Sequence, residues 1–196
     1  MTIDVAQFKA AMRCLTGHVC LVTTCSAEGR RSGLTATAVC SVSATPPMLL
    51  VCVNRSSASS GAIRDAGRFA VNVLGKESTA LANRFASQLA PEEKFAEGRW
   101  NSLDTGAPVL ANALASFDCH VDRMVEAGSH LVLFGAIRAV QIAQPDQPPL
   151  LYAQGGYGSF ASAETTPVAD LLWISNWDPD AALQAAPKRC AIGQEV

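Results

Sequence analysis

Residues 117–142, FDCHVDRMVEAGSHLVLFGAIRAVQI, carry the pattern that decides the fold. Phe117, Cys119 and Val121 alternate with polar residues, which is the period of a β-strand with one buried face. A turn follows at residues 126–128, and residues 130–142 then form a second long run rich in apolar and β-branched residues. The segment predicts a hairpin of two long antiparallel strands.

Shorter strand signals lie on the amino-terminal side of this hairpin. The predicted strands cover residues 18–25, 32–42, 48–53 and 69–74, with a tight connection at residues 27–30. Helical spacing predicts helices at residues 5–15, 61–65 and 78–87, and a polar loop continues to about residue 108. Strands and helices do not alternate regularly, which argues against a doubly wound parallel sheet. The pattern therefore predicts a mainly β fold, an antiparallel barrel with a few short helices.

Composition limits the classes of function. The chain has 196 residues, of which 49% are apolar and 16% charged, so we expect a single globular domain over residues 1–196. Lys and Arg number 15 against 17 Asp and Glu, without a basic block, which argues against nucleic-acid binding. The first residues lack the apolar core of a signal peptide, and the longest apolar run covers only residues 48–53. We expect a cytoplasmic protein that does not bind membranes.

The seven cysteines form an odd-numbered set without a C-x-x-C pair, and most lie within apolar stretches. Paired spacing is what a zinc site or a redox motif requires. We therefore predict reduced, packed thiols and no metal site.

Two polar segments are candidates for ligand binding. Residues 33–47 read GLTATAVCSVSATPP, and residues 52–59 read CVNRSSAS. Hydroxyls and backbone N–H groups of the first segment suit the polar edge of a flat ring system, although a half-exposed β surface has the same composition. The serines before the second predicted helix suit a phosphate, because free amides and the helix dipole converge there; an ordinary N-cap is the alternative.

The order of motifs resembles the flavin reductase family with an FMN-binding split barrel. Besides the two segments above, the resemblance rests on FAVNVL (69–74), Phe85, KF (94–95), GSH (128–130) and YAQGGYG (152–158). It covers about residues 5–158 and leaves residues 159–196 as a carboxyl-terminal extension without a counterpart. The family includes the reductase components of two-component flavin-dependent monooxygenases. The resemblance implies a Greek-key-type split barrel and a homodimer with the flavin near the subunit interface.

The resemblance also implies which residues bind the flavin, FMN or FAD. Three groups of residues would contact the ring, its polar edge and the ribityl-phosphate chain: Thr35, Ala36 and Thr37; Ser41, Val42 and Ser43; and Cys52, Asn54, Ser57 and Ser59. Phe85 and Lys94 would close the site.

The nicotinamide side of the site is implied in the same way. His130 matches a family histidine near the nicotinamide and is the catalytic candidate, although Ser129 stands where the family usually has Asp. The aromatic, glycine-rich segment with Tyr152, Gly155, Gly156, Tyr157 and Gly158 would let the nicotinamide approach. The alternatives are a histidine at the start of a strand and a loop with two packing tyrosines.

The implied activity is reduction of FMN or FAD by NADH or NADPH, with the reduced flavin passed to a separate monooxygenase. Such chemistry belongs to the cofactor, while the protein orients the reactants. The alternative is a flavin-binding electron carrier or storage protein without its own NAD(P)H oxidase activity. The aromatic tail with Trp173 and Trp177 has two candidate roles, covering the barrel mouth or a subunit contact, and we predict that it packs against a second copy.

Overall fold

Strands dominate residues 3–160, the part of the chain that the computed structural model describes. The strands are β1 (Gly17–His18), β2 (Cys20–Cys25), β3 (Arg31–Ala36), β4 (Val39–Ala44), β5 (Pro47–Asn54), β6 (Arg68–Val73), β7 (Trp100–Ser102), β8 (Pro108–Leu110), β9 (Ala115–Ala127), β10 (His130–Ile142), β11 (Leu150–Ala153) and β12 (Gly156–Ser159). The helices are α1 (Val5–Met12), α2 (Ala58–Ala66), α3 (Thr79–Ala86) and α4 (Pro91–Lys94), with a 3₁₀ turn at Lys76–Ser78.

The predicted long hairpin is confirmed, since β9 and β10 have 13 residues each and pair antiparallel. Gly128 in the connecting turn has a φ of +57°, a conformation that glycine adopts without strain. Gly135 in β10 is required for another reason, because a Cβ there would lie 2.6 Å from the Phe69 ring. The absence of a side chain at this position lets β10 pack closely over the core.

A seven-stranded antiparallel sheet in the order β3-β2-β6-β9-β10-β5-β4 forms the body of the molecule. Its two edge strands, β3 and β4, are joined by Thr37 and Ala38 alone. Two residues can span only about 10 Å, so the opposite edges of the sheet must lie side by side. The sheet therefore curls into a split barrel, and the backbone N–H of Cys52 donates to the Ala38 carbonyl at the seam (3.0 Å). This confirms the predicted fold class.

One predicted strand, residues 32–42, is wrong as a single element. The structure divides it into β3, which pairs with β2, and β4, which pairs with β5 on the other edge of the sheet. The chain has to leave one ladder of hydrogen bonds and enter another, so it breaks at Thr37 and Ala38.

The predicted polar loop to about residue 108 also contains regular structure. Helix α4 begins at Pro91, and the Glu93 carboxylate accepts the N–H of Ala90 just before it (3.1 Å). Strands β7 and β8 pair with each other further along. These elements are too short for a periodic signal, which explains why the pattern did not reveal them.

Two large apolar clusters, and a small third one around Val109, lie within the described residues. The first lies inside the barrel and includes Phe69, Val51 and Leu133, and Ile63 of α2 packs against it. The second lies between the sheet and α3 and includes Phe85, Phe95 and Leu21. Cys20 and Cys119 are buried, and burial raises the pKa of each thiol to about 12, so both stay protonated packing residues.

Helix α1 has Asp4 as its N-cap, whose carboxylate accepts the N–H of Ala6 (3.2 Å). Its apolar residues, including Phe8 and Met12, are exposed in this chain. Within residues 3–160, no helix has the length and apolar character needed to cross a membrane. The predicted contact by Trp173 and Trp177 lies outside the described residues, and a single domain over residues 1–196 stays a prediction.

Candidate functional site

A cavity of about 710 Å³ opens along the seam of the split barrel. One wall is the edge strand β3 and the link that follows it. A second wall consists of the end of β5, the amino terminus of α2 and His130 at the start of β10. The third wall runs from the end of α3 to Lys94 in α4. The seam thus brings together segments that are far apart in the sequence.

The structure gathers ten of the predicted site residues around this one cavity. They are Thr35, Ala36, Thr37, Cys52, Asn54, Ser57, Ser59, Phe85, Lys94 and His130. Residues 41–43 and 152–158 do not line it. Their assignment to the polar ring edge and to the nicotinamide stays a prediction.

Ser41, Val42 and Ser43 lie on β4, the opposite edge strand of the sheet. Ser41 pairs with Leu49 and Ser43 with Met48, and the register shift between these pairs leaves Val42 bulged and 44% exposed. These residues therefore lie beyond the seam and outside the cavity wall.

Tyr152 and Tyr157 face each other across the β11–β12 hairpin, with ring centroids 5.5 Å apart. This hairpin belongs to a separate three-stranded sheet with β1, in which Tyr152 pairs with Gly17. A Cβ on Gly17 would lie 2.8 Å from the Cβ of Thr37, which lines the cavity. The hairpin thus reaches the rim of the cavity through Gly17 and does not form its wall.

The amino terminus of α2 is a candidate anion site. Ser57 is the N-cap, and its Oγ accepts the N–H of Ser59 (3.3 Å). Asn54 Oδ1 accepts both the N–H (3.0 Å) and the hydroxyl (2.9 Å) of Ser56, which fixes the loop before the helix. Ser59 Oγ lies 3.0 Å from Ser32 Oγ on β3. Several hydroxyls and the positive end of a helix dipole therefore meet at one end of the cavity.

The open edge of β3 offers backbone groups to a ligand. The Gly33 carbonyl accepts from Lys94 Nζ (3.5 Å), so it points away from β2 and toward the cavity side. The backbone groups of alternate residues in a strand point to the same side, which directs those of Thr35 there as well. Donors and acceptors in a row match the alternating polar atoms on the edge of a flat heterocycle.

Lys94 and Phe85 close the opposite side of the cavity. Lys94 Nζ donates to the Phe85 carbonyl (3.2 Å), and partial burial lowers the pKa of its ammonium group from the ordinary value. Phe85 is supported from behind by Phe95 at 5.0 Å and Trp100 at 5.6 Å between ring centroids. Thr35 Oγ1 donates to the Ala82 carbonyl (2.6 Å), which ties α3 to β3. This wall is largely apolar and is tied to β3.

His130 stands directly opposite Asn54 in the β5–β10 ladder. Paired residues in such a ladder have Cβ atoms about 4.5–5.5 Å apart, so the histidine lies beside the loop that leads into the anion site. Its Nδ1 is 2.9 Å from Ser129 Oγ, and the ring is exposed at the mouth of the cavity. Ser129, which stands where the family usually has Asp, is therefore hydrogen-bonded to the imidazole of His130.

Sequence reasoning missed one part of the wall. Residues 86–91, between α3 and α4, line the cavity, as does Ser32. The proline at position 91 and Glu93 two residues later indicate a helix start at this point. No local signal, however, tells that the preceding residues face a ligand.

The fold and the cavity together define a class of protein, a split barrel with a cofactor-sized cavity on its seam. The chain belongs to the flavin reductase family, because the family model described as "Flavin reductase like domain" matches residues 12–161. The family expected from the motifs is confirmed.

Known relatives agree with this family. The chain is 43% identical over 161 residues to "FMN reductase (NADH) RutF 1" of a Methylorubrum extorquens strain, covering 82% of this chain and 79% of that protein. The crystal structure of a nitrilotriacetate monooxygenase component B homolog from Mycobacterium thermoresistibile has a TM-score of 0.77 and 29% identity, covering 90% of this chain and 93% of that one. The NADH:FAD oxidoreductase SgcE6 of Streptomyces globisporus, solved with NAD and FAD fragments, has a TM-score of 0.75 and 27% identity, covering 82% and 94%.

Proposed function

We propose that this protein is an NADH-dependent flavin reductase that takes FMN as its preferred flavin. The observation that carries the proposal is the seam cavity, in which the open edge of β3, the α2 anion site and His130 converge. The relative named FMN reductase (NADH) supports FMN and NADH as the flavin and the donor. Because the similar protein SgcE6 is an NADH:FAD oxidoreductase, FAD is the second flavin to test.

The residues present fit a flavin mononucleotide. The serines around the α2 amino terminus would hold the phosphate, and the backbone of Gly33 and Thr35 would bind the polar edge of the ring. The apolar wall with Phe85 would cover the ring and exclude water. Among the 22 residues that line the cavity, only Lys94 and His130 can carry positive charge. The phosphate would therefore be held mainly by neutral donors, which suits a flavin that has to leave after reduction.

A flavin, when bound, would supply the redox chemistry: it would take a hydride from the dihydronicotinamide, leaving NAD⁺, and a proton from solvent. The protein contributes orientation, because hydride donor and acceptor have to lie about 3–3.5 Å apart in line. His130 at the cavity mouth would position the nucleotide. No side chain has to act as a nucleophile.

The decisive experiment measures NADH and NADPH oxidation with FMN, FAD and riboflavin added separately. We expect NADH oxidation to rise with FMN, and anaerobic NADH to bleach the flavin absorbance. Flavin binding without oxidation of either nucleotide would instead support the alternative, an electron carrier or storage protein.

The outer face of the barrel supports a homodimer. Leu50, Cys52, Val132 and Phe134 share the face of β5 and β10 that points away from the barrel interior, and all are apolar and half-buried. A solvent-facing sheet surface normally carries polar residues, so this face is suited to a second copy. Cys52 also lines the cavity. A partner on this face would therefore cover the flavin site from one side.

Light scattering tests the dimer. We expect twice the chain mass of 20.5 kDa, and Val132→Asp should shift the protein toward the monomer, because it places a charge in the apolar face. A fully active monomer at micromolar concentration would contradict the dimer.

The reduced flavin would pass to a separate oxygenase. The similarity to a monooxygenase component B homolog supports this role. Hydroxylation of an added substrate should require the oxygenase together with this protein and NADH. The cytoplasmic location stays a prediction.

A further inference from the structure

Arg55 lies in the loop between β5 and α2, but its side chain does not line the cavity. Its neighbours Asn54 and Ser56 line the cavity, whereas Arg55 does not. Its side chain extends toward the turn between β9 and β10, the turn that ends at His130.

Three contacts join Arg55 to that turn. Its backbone N–H donates to the Ser129 carbonyl (3.0 Å), and its Nη1 donates to the Gly128 carbonyl (3.4 Å). The same Nη1 forms an ion pair with Glu126 Oε2 at 3.1 Å. Arg64 of α2 approaches the other oxygen of Glu126 at 3.7 Å. The turn is thus held through the carbonyls of Gly128 and Ser129 and through the carboxylate of Glu126, which precedes it.

The tip of the turn, residues 127–129, is exposed. A Cβ on Gly128 would meet no atom within 4 Å, so a side chain at this position would face open space. His130 is exposed and follows Gly128 by two residues. The β5–β10 and β9–β10 ladders fix the backbone of His130 opposite Asn54 and Ala127. Its ring is hydrogen-bonded to Ser129 in the turn, and Arg55 adds a side-chain and a backbone contact to that turn.

We propose that Arg55 is a positioning residue for hydride transfer, one that holds the β9–β10 turn so that His130 faces the nucleotide. This inference rests on the proposed function. Arg55 couples the two halves of the site, because the loop that it belongs to carries Asn54 and the serines of the anion site. Each exposed ion pair is weak alone, but one guanidinium here engages a carboxylate and a carbonyl together.

Arg55→Gln is the test, with Arg138→Gln as its matched control. Arg138 also forms a half-exposed ion pair, with Asp104 at 3.6 Å, but it lies in the distal half of β10 away from the cavity. We expect Arg55→Gln to lower the anaerobic reduction rate at saturating NADH by about ten- to a hundredfold, since a misplacement of about 1 Å has that cost. Affinities for FMN and riboflavin should stay unchanged, and Arg138→Gln should behave as the unsubstituted protein.

Two further variants distinguish the specific contacts of the Arg55 guanidinium from a general effect of its charge. Arg55→Lys keeps the charge without the fork of donors, so it should restore the rate only in part. Glu126→Gln should lower the rate as well, and combining it with Arg55→Gln should add little, because both changes release the same turn.

A second readout does not depend on activity. The chain has three histidines, and His130 can be assigned among their imidazole NMR signals by its loss in His130→Gln. In Arg55→Gln the His130 signal should shift or broaden, while those of His18 and His120 stay in place.

Three results would overturn the assignment of Arg55. An unchanged reduction rate or an unchanged His130 signal would show that the turn does not need it. A loss of FMN affinity without a loss of riboflavin affinity would make Arg55 a phosphate ligand. Absence of NADH oxidation by the unsubstituted protein, with a shifted His130 signal in the variant, would instead refute the proposed function.

Discussion

Removing the hydroxyl of Ser57 tests whether the amino terminus of α2 holds the flavin phosphate. Ser57 Oγ accepts the N–H of Ser59 at 3.3 Å, so its own proton can donate to an anion in the cavity. A hydrogen bond to a charged group contributes about 1.5–3 kcal/mol, so its loss should weaken FMN binding by about ten- to a hundredfold. Riboflavin lacks the phosphate, and its affinity should be nearly unchanged.

Two substitutions separate the phosphate contact from the cap of the helix. Loss of a serine N-cap costs about 1 kcal/mol of stability when alanine replaces it, but only a few tenths when glycine does. Ser57→Ala and Ser57→Gly both remove the same hydroxyl. They should therefore weaken FMN binding equally and differ in thermal stability. Adding Ser59→Ala should weaken FMN further, because it removes a second hydroxyl of the site.

Flavin fluorescence titrations with FMN and riboflavin, together with thermal unfolding of the same samples, provide the measurement. Thr79→Ala is a suitable control, because the Thr79 hydroxyl also lies at a helix start, bound to the Lys76 carbonyl (3.1 Å), but outside the cavity. Equal losses for FMN and riboflavin would refute the phosphate assignment. A loss of FMN affinity that follows helix stability would refute it as well.

Three other predictions follow from the structure. His130→Ala should slow flavin reduction by NADH by up to about a hundredfold without weakening flavin binding, as stopped-flow measurements at known flavin occupancy can show; an unchanged rate and nucleotide affinity would contradict this. Gly17→Ala should destabilise the fold by about 1–3 kcal/mol in thermal or urea unfolding, because its Cβ would lie 2.8 Å from that of Thr37; an unchanged stability would mean that β1 and the link at Thr37 separate easily. Burial lowers the pKa of His18, whose Nε2 lies 3.2 Å from the Leu74 carbonyl. As the pH falls, His18 therefore takes up a proton in the unfolded chain before it does so in the folded protein. The free energy of unfolding should fall as the pH drops below about 6.5, and it should fall less steeply in His18→Gln.

Much of the fold could be predicted from periodicity. The alternation in residues 117–142 and the runs at residues 48–53 and 69–74 match observed strands, because each buries one face or both in the apolar clusters. The run at residues 18–25 matches β2 from Cys20 onward, while His18 belongs to β1 in the other sheet. The break at Thr37 and Ala38 could not be predicted in this way. Both β3 and β4 require an alternating pattern, so the pattern continues through residues 37 and 38. The two strands are separate only because β3 pairs with β2 and β4 pairs with β5.

The site was predicted in part by the serine-rich loop and mainly by resemblance. Composition alone could not distinguish a phosphate-binding serine at position 57 from an ordinary N-cap, because the two use the same hydroxyl and the same backbone. The wall formed by residues 86–91 was missed, since its exposure to the cavity depends on where α3 ends against β3. The role of Arg55 was not visible either, because its partners are more than 70 residues away in the sequence.

The sequence by itself determined the longer elements: the strand and helix periods, the capping residues and the glycines that turns require are local properties of the chain. It also carried the motifs that indicate the family. The tertiary structure decided which strands became the edges of the sheet, and hence where the seam opened and which side chains met there. The physical reason is that pairing and closure depend on contacts between distant residues, such as Asn54 with His130, which no local pattern encodes.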